Sequence, residues 1–189
     1  PHALWRMDPK ERAVYLTFDD GPIPESTPFI LDTLRRYHAK ATFFMVGENV
    51  LRHHDLYNQI VAEGHQVGNH TFNHMGSFKH WTLTYALNTE KANDLIGAHL
   101  FRPPHGCMRH SVYWWLCRKY KIVMWDLVTR DYSKWLTADD VVRNVKRYAR
   151  NGSIITFHDS LKSIDKLHTA LPQALEWLQE QGYAFKTIE

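Results

Sequence analysis

The chain has 189 residues, 44% of them hydrophobic, with two cysteines. That is enough apolar surface for one domain with a proper core, and too few thiols for a disulfide scaffold or a thiolate metal cluster. The formal net charge is +3 and the basic residues are scattered, which argues against a nucleic-acid partner and leaves only weak attraction to anionic surfaces.

No apolar run approaches the ~20 residues of a membrane span, and the opening Pro1-His2-Ala3-Leu4-Trp5-Arg6 lacks the apolar centre of a signal peptide. A start at proline fits a chain from which an export signal or anchor was trimmed. Nothing reads as a linker, repeat or low-complexity tract, so residues 1–189 are expected to form a single domain.

Strand and helix patterns alternate along the chain. Residues 13–18 form the first predicted strand, closed by Gly21 and Pro22. Ser26 caps a helix whose apolar face is Phe29, Ile30, Leu31 and Leu34, and strands follow at 41–46 and 66–69, with Gly64 between them where a helix should stop. Thr82 opens a helix over 83–96 that stops at Gly97; a strand at 100–102 leads to a helix begun by Ser111 over 112–120. A strand at 122–126, a helix over 139–149 after Thr137, and a strand at 153–157 come next. Asp165 leads into a helix over 167–180, Gly182 ends it, and a strand at 183–188 completes the series. Cys107 and Cys117 fall on one predicted helix about 15 Å apart, beyond the reach of a disulfide, and are read as free thiols. This alternation predicts an α/β fold with a parallel sheet and helices outside it. Roughly seven units point to a closed or nearly closed barrel, with an open doubly wound sheet as the alternative.

The segment Thr17-Phe18-Asp19-Asp20-Gly21-Pro22 sets two adjacent carboxylates at the end of the first strand. Like charges this close need a positive partner, most simply a divalent metal; an acidic surface turn is the other reading. His70-Thr71-Phe72-Asn73-His74 favours the metal. Histidines four apart share one side of a helical turn, and Asp20 would complete a two-histidine, one-carboxylate set with coordination positions left open for catalysis. Asp19 and Asp20 follow the first strand, His70 the third, Arg102 the fourth, Asp131 the fifth and His158 the sixth. These are the carboxyl ends at which parallel α/β folds gather their catalytic groups.

In this order the motifs resemble those of the NodB-homology polysaccharide deacetylases, carbohydrate esterase family 4, from about residue 14 to 188. The family's TFDDGP is unaltered at 17–22, its H[ST]xxH falls at 70–74, its RxP begins at Arg102, its fourth motif reads Asp131-Tyr132, and its fifth ends at His158. The resemblance implies a distorted (β/α)7 barrel, TIM-barrel-like, and a hydrolase that removes N-acetyl groups from a glycan containing N-acetylhexosamine, chitin-like or peptidoglycan-like. It implies one divalent metal on Asp20, His70 and His74, zinc first, with cobalt among the alternatives. Asp19 would be the general base, Arg102 its electrostatic partner, His158 the general acid, and Asp131 the support of one or both. A carboxylate near His158, from Asp131 or Asp159, would hold the imidazolium. A cell-envelope or extracytoplasmic setting follows from the family's substrates.

Four departures bear on the substrate. His105 replaces an aromatic residue, Tyr132 a tryptophan, Val128 an aspartate, and Thr156 a leucine that in relatives lines the pocket for the acetyl methyl. His105, Tyr132, Trp135 and Thr156 are the expected substrate contacts. Trp81 and Trp135, in predicted loops on the catalytic side, are the tryptophans expected to meet sugar, whereas Trp114, Trp115 and Trp125 suit packing. Two other readings stay open: an amidase or imidase on a small non-sugar amide, and a catalytically silent glycan-binding barrel, which predicts broken metal or acid-base positions.

Overall fold

The strand Ala13–Asp20 (β1) is central to the sheet, and all but its last residue is buried. A strand covered on both faces is apolar along its length, as Ala13-Val14-Tyr15-Leu16 is here, and can end in polar groups only where the barrel opens. The computed structural model describes residues 3–189; Pro1 and His2, which begin the segment read for an export signal, lie outside the described residues. After β1 come α1 (Thr27–Arg36), β2 (Ala41–Met45), α2 (Gly47–Arg52), α3 (His54–Ala62), β3 (Gln66–Asn69), α4 (Thr82–Ile96), β4 (Leu100–Phe101) and α5 (His110–Leu116). The chain continues through β5 (Lys121–Ile122), β6 (Leu127–Val128), α6 (Ala138–Tyr148), β7 (Ile154–His158), α7 (Ile164–Glu180) and β8 (Ala184–Phe185).

Seven parallel strands run in the order β5-β4-β3-β2-β1-β7-β6 and curl into a half-barrel surrounded by helices, the distorted (β/α)7 barrel that the resemblance implies. The eighth, β8, pairs only with Ala13 and Val14 at the start of β1, so the predicted strand 183–188 is shorter than expected. The seam between the sheet's two ends is bridged by the N-terminal segment. Leu4 pairs with Val123 beyond β5, Arg6 pairs with Ser153 before β7, and the Arg6 guanidinium donates to the Asn151 carbonyl at 2.9 and 2.7 Å.

The predicted strand 122–126 is in fact two. Val123 N–H still donates to Phe101 O on β4, but Asp126 N–H donates to Ile154 O on β7, so the chain crosses the seam in three residues and re-enters the sheet as β6 without a helix. The helix expected over 112–120 ends at Leu116, with Cys117 as its C-cap, and Cys107 lies ahead of it. The two cysteines therefore do not share a helix, though both are free. Helices α2 and α3 fill the stretch before Gly64, the glycine at which a helix was expected to stop, although no helix start was assigned there. No helix among the described residues is long and apolar enough to cross a membrane.

On the helix-facing side of the sheet, Phe18 of β1 stacks between Phe43 of β2 at 5.2 Å and Phe157 of β7 at 5.6 Å. Phe18 and Phe157 lie one residue before Asp19 and His158 on their strands and so face the other way, and the three rings form a tightly packed aromatic layer between the sheet and its helices that supports these strand ends. Phe18→Ala is expected to cost about 3 to 5 kcal/mol, read as a fall in Tm of about 10 °C in a thermal melt. A Tm unchanged within 2 °C would show that this layer is not the support described.

Candidate active site

Arg102 follows β4 and is fully buried. Its Nη1 donates to Asp19 Oδ1 at 2.6 Å and to Thr17 Oγ1 at 2.8 Å, Nη2 to Met124 O at 2.7 Å, and Nε to Val123 O at 3.3 Å. The guanidinium also lies 4.1 Å from the centre of the Phe44 ring. Burial is the largest influence on Asp19 and pushes its pKa up, but Arg102, then His70 and His158, outweigh it and hold the carboxyl below the ordinary range. Asp19 is thus an ionised, fixed carboxylate at the open end of the barrel.

Asp20 turns away from the strand with a φ of 85°. Asn49 of α2 holds its backbone, donating to Asp20 O at 2.8 Å. The next residue must be glycine, because a Cβ on Gly21 would lie 2.0 Å from Asp159 Oδ2. Asp159 is fully buried; it accepts hydrogen bonds from Ser26 Oγ and, at 2.6 Å, from Thr27 Oγ1, and its N–H donates to Asp19 O at 2.7 Å. It clamps the end of β1 to the start of α1 and faces away from His158, so of the two carboxylates proposed to hold that imidazolium only Asp131 does so.

His70 and His74 are brought together by a loop and not by the expected helical turn. Thr71 and His74 take left-handed φ values of 67° and 55°. Side chains supply what helix bonds would have: Asn69 Oδ1 accepts from Thr71 N–H at 2.8 Å, Thr71 Oγ1 from Met75 N–H at 3.0 Å, and Asn88 Oδ1 from Phe72 N–H at 2.9 Å. The two imidazole centres lie 5.1 Å apart. His70 Nδ1 donates to Arg102 O at 2.7 Å, which leaves the Nε2 lone pair free and facing Asp20 Oδ1 at 3.7 Å. His74 Nε2 is 3.4 Å from the same oxygen.

The ligating atoms of Asp20, His70 and His74 all lie within 4.8 Å of one another, a set that could hold one metal ion. Asp20 Oδ1 is buried and has no hydrogen-bond partner, which is costly unless a cation satisfies it. Burial first, then Asp19 and Asp131, raise the Asp20 pKa to about 6, while burial lowers His70 to about 3 and His74 to about 4. Neutral imidazoles beside an uncompensated carboxylate fit a divalent cation.

His158 ends β7, directly across from Asp19 in the strand register. Its backbone N–H donates to Asp131 Oδ2 at 2.7 Å and its Nδ1 lies 2.8 Å from Asp131 Oδ1. Burial pushes the imidazole pKa down, but the Asp131 hydrogen bond and charge, with Asp19 and Asp20, lift it to about 9. The Tyr132 ring stands edge-on to His158 at 4.7 Å.

Asp19, Asp20, His70, His74 and His158 line a cavity of about 720 Å³, within the range of small-ligand sites, with Arg102 and Asp131 buried behind them. His105, Tyr132 and Thr156 are on its wall as expected. Thr156 is less polar towards the cavity than its hydroxyl suggests. Thr17 Oγ1 gives its proton to Ile155 O, so at 3.1 Å it accepts the Thr156 proton, which is thereby directed into the protein. Trp135 and Trp81 are 82% and 81% exposed and lie outside the lining of this cavity. Trp125, expected to pack, does both: it lies over Arg102 at 5.9 Å and forms part of the wall, so close to Gly106 that a Cβ there would fall 2.1 Å from Trp125 Cη2. Asn49 and Asp159 are positioning groups that sequence reasoning did not assign.

Residues 6–125 match the family profile described as polysaccharide deacetylase. The chain is 35% identical over 204 residues to a peptidoglycan-N-acetylglucosamine deacetylase of Bacillus cereus, covering 99% of this chain and 91% of that one. It is 36% identical over 184 residues to the peptidoglycan-N-acetylglucosamine deacetylase PgdA of Listeria monocytogenes, covering 94% of this chain and 38% of the longer relative. Among solved structures, BA3943 of Bacillus anthracis, described as a pseudoenzyme of the CE4 family, superposes with a TM-score of 0.88 at 27% identity, over 100% of this chain and 68% of that one. With the profile spanning well over half of its residues and a relative of similar length matched almost end to end, the chain belongs to the polysaccharide deacetylase family, hydrolases that remove acetyl groups from sugar amides.

Proposed function

We propose that this chain hydrolyses the N-acetyl group of an N-acetylhexosamine in a chitin-like or peptidoglycan-like glycan, with a metal on Asp20, His70 and His74. The observation that carries the metal site is the buried, unpartnered Asp20 Oδ1 facing two imidazole nitrogens. Zinc suits two imidazoles and a carboxylate, and cobalt is a second candidate. When bound, such an ion polarises the acetamide carbonyl and acidifies a water molecule.

The remaining work falls to the chain's own residues. Asp19, kept ionised and oriented by Arg102, takes the proton of the attacking water. His158, kept protonated by Asp131, gives its proton to the departing amine. His105, Tyr132 and Thr156 line the cavity that would seat the acetamide and its sugar. A fold neighbour described as a pseudoenzyme means that the fold alone does not decide activity. The residues do: a silent barrel predicts broken positions, and here each candidate acid, base and ligand is present and paired as its role requires. The relatives named for peptidoglycan support an extracytoplasmic setting for the reaction.

Acetate release from N-acetylglucosamine oligomers, with zinc or cobalt supplied, is expected and is expected to stop on chelation. Asp19→Asn and His158→Ala should each lower kcat by about 10² to 10⁴-fold. Release that survives both changes would overturn the acid-base assignment. His70→Ala should weaken zinc binding by roughly 100-fold or more; unchanged metal content would show that the ion sits elsewhere.

In the metal-free protein, the His158 ring signals in NMR should titrate near pH 9. In Asp131→Asn they should titrate at or below the ordinary ~6.5, since burial then dominates. Because the folded-state pKa is raised, the His158–Asp131 contact stabilises the fold fully below about pH 6.5 and loses that contribution as pH rises through about 9. A titration near pH 6.5 in both proteins would contradict the pairing.

A further inference from the structure

The mild net charge of the chain is unevenly divided. Residues 64–125 hold seven of the 23 lysines and arginines but only two of the 20 acidic residues, Glu90 and Asp94, so this third of the chain is basic and the remainder slightly acidic. Of the seven, Arg102 is buried with Asp19, Lys119 pairs with Glu90 and Lys121 with Glu189. Lys79, Lys91 and Arg118 are exposed and make no ion pair among the described residues, with Asp94 the one acidic residue of the stretch left to oppose them.

The same stretch presents an exposed apolar face. On α4, Leu83 and Leu87 stand one turn apart and are 65% and 60% exposed, opposite the buried Tyr85, Ala86, Thr89 and Ala92. On α5, Trp114 and Trp115 are exposed while Val112 and Leu116 face the core. The two helices lie side by side. The Thr82 and Ser111 hydroxyls meet at 2.7 Å where they begin, and Tyr120, just past α5, donates to Glu90 at 2.9 Å, about two turns along α4. Leucines, indoles and unpaired cations therefore share one outer wall of the barrel. None of Leu83, Leu87, Trp114 and Trp115 lines the cavity that holds Asp19, Asp20 and His158, which opens at the strand ends and not on the outer side of the helices.

We propose that the wall formed by α4 and α5 docks on an anionic phospholipid bilayer, with Leu83, Leu87, Trp114 and Trp115 seated among the headgroups and Lys79, Lys91 and Arg118 meeting lipid phosphates. Indoles and leucines set in a basic face are the combination that enters a membrane interface, where apolar burial and attraction to anionic lipid add. A second copy of the chain fits this wall less well, because the same unpaired cations would face each other. A soluble polyanion would answer the charge and leave the leucines and indoles in water. A lipid surface, negative outside and apolar beneath, satisfies both halves of the face. Docking by this wall leaves the mouth of the cavity clear, so it places the protein without entering its chemistry.

The test sediments the full chain with two sets of vesicles, one of phosphatidylcholine alone and one with about one-third phosphatidylglycerol. The wild type should bind the anionic vesicles about tenfold or more tightly than the neutral ones, and added salt should weaken that binding. The paired substitutions Lys91→Glu with Arg118→Glu, and separately Leu83→Ser with Leu87→Ser, should each weaken it about tenfold. All four positions are exposed, and both variants should melt within about 2 °C of the wild type. Failure of the wild type to bind anionic vesicles, or equal binding to both sets, would overturn the proposal. Loss of binding in the charge variant alone, with dextran sulfate held as tightly as vesicles, would make the wall a polyanion site instead. A wild type that dimerises in sedimentation velocity while the leucine variant stays monomeric, with no vesicle binding, would assign the wall to a second copy. The binding assay does not involve hydrolysis, so its failure leaves the deacetylase reading untouched.

Discussion

One fully buried guanidinium organises this protein. Arg102 reaches Asp19 and Thr17 on β1 and the carbonyls of Val123 and Met124 in the segment that crosses the open seam, and its own carbonyl fixes the tautomer of His70. Removing one partner of such a pair strands a charge in the interior, at a cost of about 3 to 5 kcal/mol. The same contacts that stabilise the barrel thus orient the proposed base, a metal-ligand candidate and the wall that Trp125 contributes. Fold and chemistry cannot be separated at this residue.

Two adjacent carboxylates illustrate how the site divides its work. Burial is the largest influence on Asp19, but Arg102 draws it below the ordinary carboxylate range, while Asp20, one residue on, is raised to about 6 because burial, with the neighbouring acids, outweighs the opposing pull of His158 and Lys162. Opposite shifts in neighbouring acids mark different tasks. Asp19 is already balanced and free to exchange a proton, and Asp20 is left for a positive ligand that would reverse its shift. On the neighbouring strand β7 His158 shows the complementary arrangement, an imidazole kept charged by Asp131. An ionised carboxylate and a charged imidazole, the proposed proton acceptor and donor, thereby stand side by side on paired strands at the open end of the sheet.

Much of this was legible in the sequence because strand ends are easy to find and parallel folds put their chemistry there. The residues from Asp19 to His158 converge as the spacing of strands required. What the sequence hid was local. The apolar run at 122–128 does not reveal that Val123 bonds β4 while Asp126 bonds β7, since hydrophobic periodicity is the same on either side of a seam. The spacing of His70 and His74 suits a helix, yet the hydrogen bonds of Asn69, Thr71 and Asn88 build a left-handed loop in its place. Helix α2 begins at a glycine after Val46, with no side-chain cap to announce it. Asp159, the clamp under Gly21, followed so closely on His158 that it was weighed only as that residue's partner.

The account turns on where a cation sits, and anomalous diffraction at the absorption edge of the added metal reads this directly. It predicts a single peak about 2.0 to 2.2 Å from Asp20 Oδ1, His70 Nε2 and His74 Nε2. A peak ligated by other residues, or no ordered ion while the three side chains keep their described positions, would contradict it.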